Sequence, residues 1–442
     1  MLIDSMPVTI GPKIKKIIQR DQKIMLTTTR ELFPFVAERG EGDFAFDAEG
    51  NKFIDFSSFI GVYALGVNSN AQVRNAIKDQ VDKLMHPGFL DFYSELPVKF
   101  AENLITLFPK GFGRVFFSNS GTEANEDAIK LSKIFTKRHH LISFYNSFHG
   151  RSMGSLSLTA SRSIQHAQLG PFIPVSHAPY PYPYRSQHPD DPEECTKESI
   201  EFIEKNIFEK EVPANEIAAI FAEPIQGEGG YIVPPKGFFK CLRELADRHG
   251  ILLVDDEIQA GYMRTGKFLA LDNFGVSADI YTMSKALGAG LPLAATISRS
   301  SFGDVPAGEH AGTFGGNLAA VAGANAALNY VKRNMRKLQA QVKEKSKIVF
   351  KRLNEIKDTY EIAGDVRGIG LMIGIEFVKD KEGKEPAIKE RNGILLSCFN
   401  KGLILLPAGK SSIRIIPPIT IAKHNLQKGL DLFEEAIKEN TI

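Results

Sequence analysis

Between residues 71 and 300, short apolar runs alternate with amphipathic stretches, and this constrains the fold more than any other feature of the chain. Ala71 to Leu84 and Leu96 to Leu107 show helical spacing of apolar residues. Val115-Phe116-Phe117 reads as a strand and Glu123 to Phe135 as a helix. His140 to Phe144, Ala218 to Glu223 and Ile251 to Val254 read as further strands, with helices between them. Strands that alternate with helices pair side by side through helical crossovers, so the expected fold is α/β with a mostly parallel sheet. Such a sheet binds ligands at the carboxyl ends of its strands.

On either side the pattern changes. Asp43 to Asp47 and Lys52 to Phe56 flank Ala48-Glu49-Gly50-Asn51 and predict a hairpin. From about residue 320 helical periodicity dominates, notably over Lys332 to Ile356. Strand-like pieces follow at Leu371 to Phe377, Ile404 to Leu406 and Ser412 to Ile416, which predicts a separate small α+β domain. The Pro-, Tyr- and His-rich stretch from Ser176 to Pro192 reads as an ordered excursion over the surface.

With 442 residues, 43% of them hydrophobic, the chain can build a large core and two domains. A net charge of +2 gives no reason to expect nucleic acid, an acidic membrane or a polyanionic partner. Three widely spaced cysteines, Cys195, Cys241 and Cys398, form neither a disulfide framework nor a CxxC site. The histidines show no metal-ligand spacing, so no metal is expected. Without a basic, apolar start or a run near ~18 apolar residues, the chain reads as cytoplasmic and soluble.

Several strand ends carry chemistry. The run Ile280 to Ser284 delivers Lys285, and Ile251 to Val254 ends in Asp255-Asp256-Glu257. A lysine in a partly dehydrated cleft is a nucleophile, and one of the acids could keep a pyridine nitrogen protonated, a pairing that suits pyridoxal phosphate. Ser118 to Asn125 follows a strand and opens a helix, where N–H groups and the helix dipole could hold a phosphate. Phe148-His149-Gly150-Arg151 offers an aromatic ring and a carboxylate-binding arginine. Glu223 and Glu228 lie where a strand passes into a Gly-rich loop. Thr313 sits in a small-residue turn before a helix, and Arg414 is a charge inside an apolar strand. Gly368 to Gly374 precedes a strand instead of joining one to a helix, which argues against a dinucleotide loop; an NAD-dependent oxidoreductase, the remaining α/β alternative, lacks its glycine fingerprint.

In this order, from Arg39-Gly40 to the Arg414 strand, these segments resemble the class III, pyridoxal-phosphate-dependent aminotransferases of the 4-aminobutyrate and ornithine type. The most specific stretch is Val254 to Gly261, followed by Arg264-Thr265-Gly266, Asp279 and Lys285. The resemblance implies fold type I of the pyridoxal-phosphate-dependent transferases. Residues 1–65 would contribute to the small domain, 66–330 would form the large cofactor-binding domain, and 331–442 the C-terminal small domain. It implies that Lys285 carries the cofactor as a Schiff base and shuttles the proton. Asp256 would pair with the pyridine nitrogen, Gln259 contact the ring 3-hydroxyl, Phe148 stack on the ring, and Gly121 and Thr122 bind the phosphate. Thr313 would reach the phosphate of a neighbouring subunit, so a homodimer or larger homo-oligomer with shared sites is expected. Arg414 would bind an α-carboxylate, and Glu228 would offset its charge for donors that lack one. Glu223, Ile60 and Arg151 would lie near the substrate.

The implied reaction moves an amino group from an ω-amino acid to 2-oxoglutarate. The alternative on the same scaffold is an amino-acid racemase or epimerase, whose members favour Asp where this chain has Glu228. A non-enzymatic binding protein of the same fold is disfavoured by the presence of Lys285, Asp256 and Gln259. Two departures from the family pattern lie toward the substrate mouth: Phe59 in place of a usual glycine, and Gly66 to Asn70 in place of a His- and Pro-containing segment. Met263 also replaces a usual glycine.

Overall fold

The computed structural model describes residues 10–26, 33–170 and 172–441. It divides into two compact units, Ala71–Gln339, and Met1–Asn70 with Ala340–Ile442.

The unit over 71–339 is built on a seven-stranded sheet. Its strands are β1 (Phe112–Ser118), β2 (His140–Phe144), β3 (Val175–Ala178), β4 (Ile217–Ala222), β5 (Leu252–Asp256), β6 (Ile280–Met283) and β7 (Ala294–Arg299). They lie in the order β1-β7-β6-β5-β4-β2-β3. Neighbours from β6 to β3 pair parallel, whereas β7 runs antiparallel to both β6 and β1. The interior strand β4, Ile-Ala-Ala-Ile-Phe-Ala, is buried throughout, as expected of a parallel strand covered on both faces. Helix α1 (Gly121–Thr136) packs Ala128, Ile129 and Leu131 into a core with Leu141, Phe221, Val254 and Ile280. Because β1 and β6 are both antiparallel to β7, six strands share one direction and their carboxyl ends share one edge.

Two expectations need correction. Ser176–Ala178 is not surface excursion: it belongs to edge strand β3, paired parallel with β2. A four-residue strand with a Ser-His centre has no legible period, and its partner is remote in sequence. Strand β7 was not anticipated either; its Ala-Ala-Thr-Ile-Ser-Arg sequence carries no strong alternation, yet it is buried between two strands.

The second unit holds two small sheets. Phe44–Asp47 and Lys52–Asp55 form the hairpin that the turn predicts, with Phe44 opposite Ile54. Leu403–Ile404 joins it in parallel at Lys52–Asp55. Phe53 stacks on Phe399 at 5.0 Å, and Phe399 on Phe33 at 4.9 Å. The other sheet orders Ala363–Ile369, Met372–Phe377, Ser412–Ile415 and Leu406–Ala408, all antiparallel. The expected single strand over 404–406 is thus two, because Leu403–Ile404 and Leu406–Ala408 serve different sheets. No helix among the described residues is long and apolar enough to cross a membrane.

Candidate cofactor site at the strand ends

The acids at the end of β5 sort by strand geometry. Successive side chains point to opposite faces, so Asp255 and Glu257 share one face and Asp256 has the other. On the first face burial, with Glu257 close by, pushes the Asp255 carboxyl well above its usual range. Burial likewise raises Glu257 to about 7, although its Oε1 accepts the Leu271 amide at 2.9 Å. On the opposite face Asp256 Oδ2 accepts from Asn125 Nδ2 and His149 Nδ1, both at 2.8 Å, and Oδ1 accepts the Ile258 amide at 3.1 Å. A carboxylate has about four lone-pair positions, so three donors leave room for one more.

Asn125 ties this arrangement together. Its Nδ2 also donates to the His149 carbonyl at 2.6 Å, while its Oδ1 accepts the Thr282 hydroxyl of β6 at 2.9 Å. One fully buried amide therefore links α1, the 145–151 loop, β5 and β6. Neither Asn125 nor His149 was singled out from the sequence. Both stand inside segments that were, one at the end of Ser118 to Asn125, the other beside Phe148.

The start of α1 is a capped cup of small residues. Ser120 caps the helix and Glu123 closes a capping box, its Oε2 accepting the Asn119 amide at 2.8 Å and the Ser120 hydroxyl at 3.0 Å. The first N–H groups of the helix, at Gly121 and Thr122, face away from the helix body. The Thr122 hydroxyl accepts the amides of Arg151 and Ser152, each at 3.1 Å, which fastens the cup to the loop carrying Phe148. That approach requires Gly150: its φ is +143°, and a Cβ there would sit 2.2 Å from Thr122 Oγ1. Gly150→Ala is expected to cost about 1–3 kcal/mol through strain at a glycine-only conformation. A thermal melt against the parent protein measures it; an unchanged Tm would contradict the packing described.

Beyond β4, Glu223 accepts the Phe148 amide at 3.0 Å and the Gly227 amide at 2.9 Å. The loop after it folds back through a Gln226–Ile232 bridge, and Tyr231 donates its hydroxyl to Gln259 Oε1 at 2.7 Å. With its oxygen so occupied, the Gln259 amide nitrogen is the group left to donate. Glu228 lies on the same loop, and the Arg151 guanidinium lies 5.5 Å from the Phe148 ring centre. Lys285 follows β6 with φ +45°, a left-handed conformation uncommon for a side-chain-bearing residue and frequent at functional sites. Gly121, Thr122, Phe148, Glu223, Glu228, Asp256, Gln259 and Lys285 therefore all stand at or just beyond the carboxyl ends of β1, β2, β4, β5 and β6.

The remaining candidates lie elsewhere. Thr313 is exposed, and its carbonyl accepts His86 Nε2 at 2.7 Å. In the second unit Arg414 is buried in its strand and donates Nε and Nη2 to the Pro407 carbonyl, at 2.9 and 2.7 Å. Ile60 is exposed, on a turn where Ser58, Phe59 and Ile60 all have positive φ. The Phe59 ring packs on the Phe53–Phe399 cluster and edge-on to Tyr63 at 5.7 Å. Both places where the family has glycine, Phe59 (φ +47°) and Met263 (φ +70°), are left-handed here. Among the described residues no cluster of three His, Cys, Asp or Glu side chains could hold a metal ion.

The donor set fits pyridoxal phosphate group by group. The backbone N–H groups of a helix start suit the phosphate, an aromatic ring the pyridine face, a carboxylate the pyridine N–H, an amide the phenolic oxygen, and a lysine amine the aldehyde. Comparison with known proteins agrees. Residues 25–437 match the class-III aminotransferase family. The leucine/methionine racemase of Thermococcus litoralis is 38% identical over 427 residues, 96% of each chain. The alanine/serine racemase of Pyrococcus horikoshii is 36% identical, covering 97% of this chain and 91% of that one. The probable 4-aminobutyrate aminotransferase of Bacillus subtilis is 35% identical, covering 91% and 93%. A crystal structure of taurine:2-oxoglutarate aminotransferase from Bifidobacterium kashiwanohense with pyridoxal phosphate and glutamate superposes with a TM-score of 0.90 at 26% identity, over 97% of this chain and 99% of that one. The expected fold type and cofactor hold, and the chain belongs to the class-III aminotransferase family, a pyridoxal-phosphate-dependent enzyme acting on amino and oxo acids.

Proposed function

We propose that the enzyme transfers the amino group of an ω-amino acid, of the 4-aminobutyrate or ornithine kind, to 2-oxoglutarate. The observation that supports this most is Glu228, carried on a loop that Glu223 ties to the end of β4, Gln226 to the loop after β2, and Tyr231 to Gln259 beyond β5. Arg414 binds the α-carboxylate of the oxo acid; a donor without that group leaves the arginine charge to be offset, and Glu228 is the acid assigned to it. The longer side chain of glutamate suits this better than the aspartate that racemases favour. Ile60 and Arg151 are assigned to the ω-substrate side of the pocket.

When bound, the cofactor supplies an electron-withdrawing ring that acidifies the C–H bond beside the substrate nitrogen. Asp256, held by Asn125, His149 and the Ile258 amide, keeps a proton on the ring nitrogen. Phe148 would cover the ring face, Gln259 would donate to the phenolic oxygen, and Gly121 and Thr122 would hold the phosphate. Lys285 would hold the cofactor aldehyde and, with its amine free, would be the base that takes the proton from the substrate carbon and the acid that returns one. Thr313 is assigned to the phosphate of a neighbouring subunit, so the working form is at least a homodimer, and the compartment proposed is the cytoplasm.

A second reading, racemisation of an α-amino acid, draws on the two racemases among the relatives. A donor panel with 2-oxoglutarate, scored for glutamate, separates the two. Glutamate from 4-aminobutyrate or ornithine supports the first reading. Loss of optical rotation from an L-amino acid without any oxo acid, and no glutamate from any ω-donor, would replace it with the second.

A further inference from the structure

Both oxygens of the buried Glu223 carboxylate face backbone amides: Oε1 the Phe148 N–H at 3.0 Å, Oε2 the Gly227 N–H at 2.9 Å. These amides belong to two different loops, 145–151 and 226–232. The same loops meet twice more. Gln226 Nε2 donates to the Tyr145 carbonyl at 2.8 Å, and Gly229 lies so close that a Cβ on it would come within 2.6 Å of the Asn146 carbonyl. Tyr180 fixes the backbone beneath by donating its hydroxyl to the Glu223 carbonyl at 2.9 Å. One loop carries Phe148; the other carries Glu228 and, through Tyr231, orients Gln259.

We propose that Glu223 is a positioning residue whose single carboxylate locks the Phe148 loop to the Glu228 loop, so that the seat of the cofactor ring and the acid on the substrate side keep one spacing. This rests on the reading above that Phe148 stacks on the cofactor and Glu228 serves the donor. The ionised carboxylate accepts from both amides with full charge assistance; a proton on either oxygen removes that charge and leaves a weaker acceptor. Burial raises the Glu223 carboxyl to about 7, with His149 opposing and Asp256 adding to the rise; Tyr180 is the other titratable group against it. The lock therefore weakens as pH falls through about 7. The stability sign is opposite. A folded-state pKa above the ordinary 4.5 means that the native state binds the proton more tightly, so acidification over that window favours the fold. A purely structural brace would lose stability and activity together, whereas this lock separates them.

The test is Glu223→Gln in the holoenzyme, which keeps the shape but turns an amide NH₂ toward one backbone N–H. Visible circular dichroism of the bound cofactor, without substrate, should change in the parent enzyme with a midpoint near 7 and stay flat in the variant. With an ω-amino donor, KM should rise about tenfold, the loss of one charge-assisted hydrogen bond, with a smaller change in kcat. In a Glu228→Ala background the same substitution should add no further rise. Gln226→Met, which cuts the second tie and spares Glu223, should move KM and the dichroism in the same direction, and it stands in should Glu223→Gln not fold. A parent-like pH response in Glu223→Gln, additive losses in the double variant, or an unaffected Gln226→Met would overturn the lock. Should no ω-amino acid serve as donor, the proposed function fails, while the substrate-free dichroism still decides the lock.

Discussion

Lys285→Ala is expected to leave a folded protein that holds its cofactor without bonding to it and turns over at least about 10²–10⁴-fold more slowly, the usual contribution of a positioned acid–base group. Strand β6 is buried along its whole length and delivers Lys285 just beyond its carboxyl end, one strand over from Asp256. The backbone there is left-handed, with φ +45°. Alanine keeps the Cβ and hence that strain, so the substitution removes the amine and little else. Single-turnover kinetics with a donor measures the loss, and thermal melting checks the fold. A variant that retains more than about a tenth of the parent rate would mean that another group moves the proton.

Asp256→Asn is the second large effect. The amide keeps the shape of the carboxylate but loses its charge, and its NH₂ cannot accept from the Asn125 and His149 donors that now converge on Oδ2. An adjacent carboxylate raises the pKa of a cationic partner by about 1–3 units, so its loss lets the pyridine nitrogen shed its proton at neutral pH. At about 1.4 kcal/mol per unit, a rate loss of about 10- to 10³-fold follows. The variant should remain coloured and should regain part of its rate as pH is lowered, because bulk protons then replace the missing carboxylate. An unchanged rate at neutral pH would place the pyridine nitrogen against some other acid. Asp255→Asn is the matched control: Asp255 lies on the opposite face of β5, and burial already favours its neutral form, so the change should leave the rate within a few-fold.

The parts of this site that a reader of the sequence can find are those that local pattern encodes. Apolar runs ending in Lys285 and in Asp255-Asp256-Glu257 mark two strand ends, and Ser120-Gly121-Thr122-Glu123 marks a capped helix start. Strand alternation alone then separates Asp256 from Asp255 and Glu257. What no local pattern carries is who meets Asp256. Asn125 lies 131 residues away and His149 lies 107, and only the crossovers between β1, β2 and β5 bring them together. The same holds for β7, whose place between β6 and β1 depends on two remote partners, and for β3 at the sheet edge. Phe59 and Met263 are a third kind of case. Their departure from glycine is visible in the sequence, but that both adopt positive φ is a property of the turns around them.

Lys285, one strand over from Asp256 at the carboxyl edge of the large sheet, is proposed as the residue that bonds the cofactor. Borohydride reduction of the holoenzyme, followed by peptide mass mapping, tests it most directly. A phosphopyridoxyl mass is expected on the peptide containing Lys285 and on no other, and none in Lys285→Ala. A label on a different lysine, or an unlabelled Lys285 peptide from protein that still holds its cofactor, would contradict it.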